Sequence, residues 1–252
     1  MKRFSSLSSR LGKLALASAA LIGLTAIASA TPVSFTFDSF THSKTLGGSL
    51  NGETISNLYV GNINVTFTDS TSNASVVAYC MEISQSINIG QSYDYDAVSL
   101  TSAGLSDTQA RLVGILYDLY YAGDTTQDWN SVNTGAFQLA LWELTHDDDG
   151  SLRSESGNFY IDPGSNTKHV ADVADDYLAS VYAQAADSSY SPYSQLVSLT
   201  NPYNQDLIVL ASLVPGYEGG QPVAIPFGVN PLPGLALVGL FGWRRLRRRV
   251  NV

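Results

Sequence analysis

The hydrophobic pattern changes period along the chain. Between Val33 and Val77 apolar and polar residues alternate, as in Ser34-Phe35-Thr36-Phe37 and Ile63-Asn64-Val65-Thr66-Phe67, the period of two that a half-buried strand requires. Gly47-Gly48, Asn51-Gly52 and Gly61-Asn62 interrupt these runs in the manner of hairpin turns. A further strand is expected from Ser75 to Ile83. Helical spacing then takes over. Leu112, Ile115, Leu116, Leu119 and Tyr120 mark a helix over 107–121 with Ser106 as its cap, and Phe137, Leu141 and Leu144 line one face of a second helix over 134–145. A third helix is expected over 169–186, and strands return at 194–199 and 206–213. Strands, a helical block and strands again predict an α+β fold: an antiparallel β-rich domain, sandwich or barrel-like, with a helical insertion.

Composition separates the ends from this middle. Lys2, Arg3, Arg10 and Lys13 precede an apolar run from Leu14 to Ile27 and then Ala28-Ser29-Ala30, the basic, apolar and small order of a secretory signal peptide. That assigns 1–30 to a signal cut by signal peptidase and 31–214 to the globular domain. Residues 215–230 form a Pro/Gly-rich linker, and 231–252 a terminal segment. In the last, Pro231-Leu232-Pro233 leads into an apolar stretch ending at Trp243, followed by Arg244, Arg245, Arg247, Arg248 and Arg249. At about 1.5 Å per residue this stretch crosses roughly half a bilayer core. The arginines are expected to stay cytoplasmic.

Charge sharpens the contrast. Of 13 lysines and arginines, four lie in the signal and five in the tail, leaving Lys44, Arg111, Arg153 and Lys168. Against these four stand all 22 aspartates and glutamates, a formal −18 for the middle. Such a field repels nucleic acid and favours cationic partners.

Candidate chemistry is sparse. Cys80 is the one cysteine, so no intramolecular disulfide is available to an exported chain. An intermolecular bridge, a reactive thiol and a small buried apolar residue remain open, and spacing alone favours the buried residue. Asp147-Asp148-Asp149-Gly150 reads as a helix-ending turn, with Asp147 and Asp149 as weak calcium ligands at most, since an EF-hand's first and twelfth ligands are missing. His42, His146 and His169 show no ligand spacing. No phosphate loop, Ser-His-Asp arrangement or dinucleotide fingerprint occurs, so no conventional enzyme and no cofactor are expected.

Two resemblances add to this. Pro-x-Pro, an apolar helix and a terminal arginine cluster resemble the PEP-CTERM sorting signals of Gram-negative bacteria, with Leu232 in place of the eponymous Glu. That resemblance implies transient anchoring in the inner membrane, cleavage by an exosortase-like enzyme and delivery to the cell surface or a biofilm matrix. Tyr79-Cys80-Met81-Glu82-Ile83 with Gly90-Gln91-Ser92-Tyr93 resembles the cysteine strand of bacterial surface thioester domains. Ala136-Phe137-Gln138-Leu139-Ala140-Leu141-Trp142-Glu143 resembles their glutamine helix. The resemblance implies that the Cys80 sulfur joins the Gln138 side-chain carbonyl with loss of ammonia, giving an internal thioester that acylates amines or hydroxyls on a target surface.

Those residue types suit that chemistry. Thiolate is a strong protein nucleophile, and a carboxamide yields only to close approach with its developing charge stabilised. Trp142 and Phe137 are candidates to wall the site, with plain core packing the simpler role for Phe137. Glu143 and Glu82 are candidates for proton transfer, with a solvated surface position the simpler role for both. Replacing Cys80 or Gln138 is expected to leave the fold nearly intact. The sequence therefore supports two readings: a covalent surface adhesin, and a non-reactive structural envelope protein with a free buried cysteine. Paired carboxylates of a matrix hydrolase cannot be singled out in so acidic a chain.

Overall fold

The computed structural model describes residues 30–68, 75–121, 130–147, 152, 157–162 and 165–218. The expected signal segment up to residue 29, the expected linker from 219 and the whole of the expected sorting tail, Pro231, Leu232, Pro233 and the arginine cluster included, lie outside the described residues, as do Asp149 and Arg153.

Two long strands, β1 (Thr31–Leu50) and β2 (Glu53–Phe67), form a hairpin. Asn51 and Gly52 turn it with φ of 52° and 81°, the double positive φ that suits a hairpin's right-handed twist. The other two glycine pairs do not turn. Gly47 and Gly48 lie inside β1, and Gly61 and Asn62 inside β2, beside register shifts. A Cβ on Gly48 would stand 2.5 Å from the Tyr160 carbonyl, and one on Gly61 2.8 Å from Ser43. Close backbone approach, not chain reversal, requires these glycines.

The remaining strands are β3 (Ser75–Cys80), β4 (Ser92–Ser99), β5 (Phe159–Ile161), β6 (Leu196–Asn201) and β7 (Asn204–Leu210). Among the described residues they form a seven-stranded antiparallel sheet in the order β2-β3-β7-β6-β4-β1-β5, and β2 pairs with β1 as well. That last pairing closes a ring, so the sheet is a barrel with β5 appended to the far end of β1. The closure sits at Phe35. It pairs with Phe67 of β2 on one edge and Tyr93 of β4 on the other, and its ring lies 6.1 Å from Phe67 and 4.9 Å from Tyr95. Val33, Phe35 and Phe37 point inward and their polar neighbours outward, as the alternation predicts.

Among the described residues three α-helices complete the α+β fold: α1 (Asp107–Tyr120), α2 (Ser131–His146) and α3 (Ser165–Ala185). Each lies within a few residues of its sequence prediction. Ser106 caps α1 in a reciprocal capping box with Gln109, and Asn130 caps α2. The one-sided face expected for α2 is not what forms. Every residue from Thr134 to Leu144 is buried, because α1, α3, β1 and β2 enclose the helix together. The strand expected to reach Ile83 stops at Cys80, and two strands lie beyond those expected: β4, which alternates at Tyr93, Tyr95 and Ala97, and the three-residue β5.

Candidate functional site

Cys80 is the last residue of β3. That strand pairs with β2 from Ser75 to Ala78 and with β7 at Tyr79 and Cys80. Beyond the Ala78–Ile63 pair, β2 no longer accompanies β3. Met81 N–H donates to the Asp206 carbonyl on β7 at 2.8 Å, so the backbone groups of Cys80 face the opposite edge, where a strand partner has ended. Buried peptide groups left there cost about 1–3 kcal/mol each if unpaired.

Gln138 of α2 fills the gap. Its Oε1 accepts from Cys80 N–H at 2.9 Å, and its Nε2 donates to the Cys80 carbonyl at 2.8 Å. The side-chain carboxamide thus behaves as one more peptide unit of the ladder. The two bonds also define the amide's orientation, since the flipped form would set oxygen against oxygen and NH2 against N–H. Gln138 is fully buried and Cys80 is 3 % exposed. A second tie reinforces the dock: Thr145 Oγ1 donates to the Met81 carbonyl at 3.2 Å.

The electrostatics are mixed. Cys80 N–H polarises the carbonyl it touches, in the direction that stabilises charge developing on oxygen. Burial pushes the Cys80 thiol well above its usual range, and the Glu82 carboxylate pushes it further, against a lowering from its own backbone hydrogen bond. Near neutral pH the free side chain is therefore a thiol and not a thiolate.

The accompanying residues divide. Trp142, one helical turn after Gln138, lines the same cleft as Cys80, a depression of about 660 Å³. Phe137 lies in the core, its ring 4.5 Å from Tyr79 and 5.1 Å from Tyr117. Glu143 is fully buried, contrary to the solvated position expected of it, because α2 exposes no face along that stretch. Glu82 is partly buried, its carboxylate accepting from Ser84 Oγ and Asp206 N–H. Asp147 caps the end of α2, and its Oδ2 accepts the N–H groups of Asn158 and Phe159, so this carboxylate anchors β5. Among the described residues no cluster of His, Cys, Asp and Glu has the arrangement of a metal site. Gln85 and Gln205, which line the cleft beside Cys80, were not singled out by the sequence. They belong to no motif and meet only in the fold.

No family model and no curated protein matches the chain. Three solved structures are similar in shape. The N-terminal domain of the Streptococcus pyogenes pilus tip adhesin Cpa is 13 % identical with a TM-score of 0.42, over 69 % of this chain and 97 % of that one. The N-terminal thioester domain of the fibronectin-binding protein SfbI from S. pyogenes is 11 % identical, with a TM-score of 0.41, over 69 % and 96 %. The thioester domain of the Staphylococcus aureus TIE protein is 11 % identical, with a TM-score of 0.40, over 71 % and 78 %.

Proposed function

We propose that this chain is an exported surface protein, a covalent adhesin, in which Cys80 and Gln138 condense to an internal thioester. The observation that carries the reading is the clamp: the Gln138 amide is held by the very residue that bears the thiol, with a peptide N–H on its carbonyl oxygen. In the condensation the Sγ–Cδ bond forms and the Cδ–Nε2 bond breaks. The thiol proton leaves with the amide nitrogen as ammonia. A nucleophile on a target surface then takes the acyl group from sulfur, which restores the thiol. The chain reacts once and is not a turnover enzyme. Signal peptidase, an exosortase-like sorting enzyme and passage through the inner membrane belong to this proposal on the strength of the two terminal segments.

One observation favours the second reading, a structural envelope protein on the same fold. The amide of Gln138 is satisfied by Cys80 backbone alone, and burial keeps the thiol protonated. That pairing would hold α2 to the barrel without any covalent bond. Intact mass separates the two: the condensed protein is one ammonia lighter than its sequence. A native protein of full mass that takes up no methylamine leaves only the structural reading.

A further inference from the structure

We propose that the acyl acceptor is a hydroxyl of a neutral saccharide, bound in the cleft that Cys80 and Trp142 line; this rests on the thioester reading above. Among the described residues that line it, the cleft has no Asp, Glu, Lys, Arg or His side chain, in a domain whose composition is otherwise strongly acidic. Its walls are aromatic rings, aliphatic side chains, amides and hydroxyls. Tyr59 and Tyr203 are 57 % and 86 % exposed, uncommon for rings that size, and offer flat apolar platforms to the C–H face of a pyranose.

Two orphaned polar atoms narrow the class. Trp142 is 1 % exposed, yet its indole Nε1–H has no hydrogen-bond partner among the described residues; the Oε1 of Gln85 is likewise buried and unpartnered. Both residues line the cleft. One is a donor only and the other an acceptor. An ammonium satisfies Gln85 and leaves the indole N–H unpaired, while a carboxylate does the reverse. A hydroxyl has both a proton to donate and lone pairs to accept with, so it can answer either need. A polyhydroxylated, uncharged ring therefore meets the whole lining. The acidic surface outside draws any cationic partner towards the protein but supplies no carboxylate to seat it in the cleft.

In the transfer, the saccharide oxygen bonds to the Gln138 Cδ, the Sγ–Cδ bond breaks, and the hydroxyl proton ends on the Cys80 sulfur. The product is an ester. No oxidant or further reactant enters.

The test uses the full-length chain, checked first for the missing ammonia and for methylamine uptake. It is then incubated in parallel with maltotriose, cellotriose and an end-blocked lysine tripeptide. The proposal expects a trisaccharide adduct on Gln138 that alkaline hydroxylamine releases and neutral hydroxylamine leaves in place, forming faster than the peptide adduct. Trp142→Phe keeps the ring but loses the N–H, and is expected to lower the ratio of saccharide to methylamine adduct about tenfold, the scale of one hydrogen bond. Gln85→Met, at a half-buried position, lowers the same ratio severalfold and covers the case in which the tryptophan variant does not fold. A live thioester that acylates the lysine peptide in preference to both trisaccharides overturns the saccharide assignment alone. Full sequence mass without methylamine uptake overturns the thioester itself, and the acceptor with it.

Discussion

Gln138 stands beside Cys80 as a strand would, its amide oxygen on the cysteine N–H and its amide nitrogen on the cysteine carbonyl. The contact joins residues 58 apart in sequence. It makes the two side chains unequal in their structural consequences. A fold left nearly intact is therefore predicted for replacement of Cys80 but not of Gln138.

Cys80→Ala removes the sulfur and leaves the backbone clamp in place, so a cost of about 1 kcal/mol is expected for the lost burial. Gln138→Ala strands a buried N–H and a buried carbonyl, and about 2–4 kcal/mol is expected. Chemical denaturation of the two variants checks the order. Equal costs would mean that the amide is not what satisfies the end of β3. Both variants also carry full sequence mass if the thioester forms in the parent.

Thiol alkylation is a weaker probe than mass. A free Cys80 is buried and held as the thiol, so native protein is expected to resist iodoacetamide at pH 8 whether or not the bond exists. Unfolding in urea exposes the difference. A free thiol then alkylates at once, and a surviving thioester does not until methylamine or hydroxylamine opens it. Rapid native alkylation would show that the site opens far more readily than its burial allows.

Asp206 supplies a pH dependence of definite sign. Burial raises its carboxyl from 3.8 to about 6, with Glu82 adding to the rise and the hydrogen bond from Asn201 N–H opposing it. Because the folded state holds this proton more tightly than the unfolded chain, the contribution to stability is full below about pH 4 and is lost as pH rises through about 6. Asp206→Asn keeps the acceptor for Asn201 and cannot ionise. Denaturation midpoints are expected to show the variant more stable than the parent at pH 7 and matched to it at pH 4. A constant difference across that range would assign the effect to something other than this proton.

Arg111 fastens the helical layer. Its guanidinium donates to the carbonyls of Ala185, Asp187 and Tyr190, tying α1 to the end of α3 and the loop after it. Arg111→Met retains the aliphatic stem and forfeits three charge-assisted bonds, for an expected loss of about 2 kcal/mol. Arg111→Lys is expected to recover only part of it, because a lysine cannot present the same fork. Full recovery by lysine would mean that charge alone matters there.

Residues 31–218 are expected to fold alone with a cooperative melt. Thr31 opens β1 in register with Ala97, and Tyr217 packs on the core three residues beyond the boundary the composition suggests. Ending the chain at Val214 is expected to lower the melting temperature by a few degrees.

The sequence by itself determined what is written locally. Helical spacing located the three described α-helices to within a few residues, Asn51-Gly52 is the one of three expected turns that reverses the chain, and the acidic middle is legible from composition. The pairing of Cys80 with Gln138 was suggested by a resemblance in the flanking residues and by nothing in their spacing. Tertiary structure decided the rest. Closure of the barrel depends on Phe35 using both edges of one strand, and a strand's sequence does not say how many of its edges are paired. The burial of α2 on every side reflects what encloses it, so the solvated position read for Glu143 had no local remedy. Gly48 and Gly61 resemble turn residues because the same absence of a Cβ serves both a reversal and a close approach. Periodicity reports the neighbours three or four residues away, whereas the clamp, the ring closure and the cleft are all set by partners that only the fold brings near.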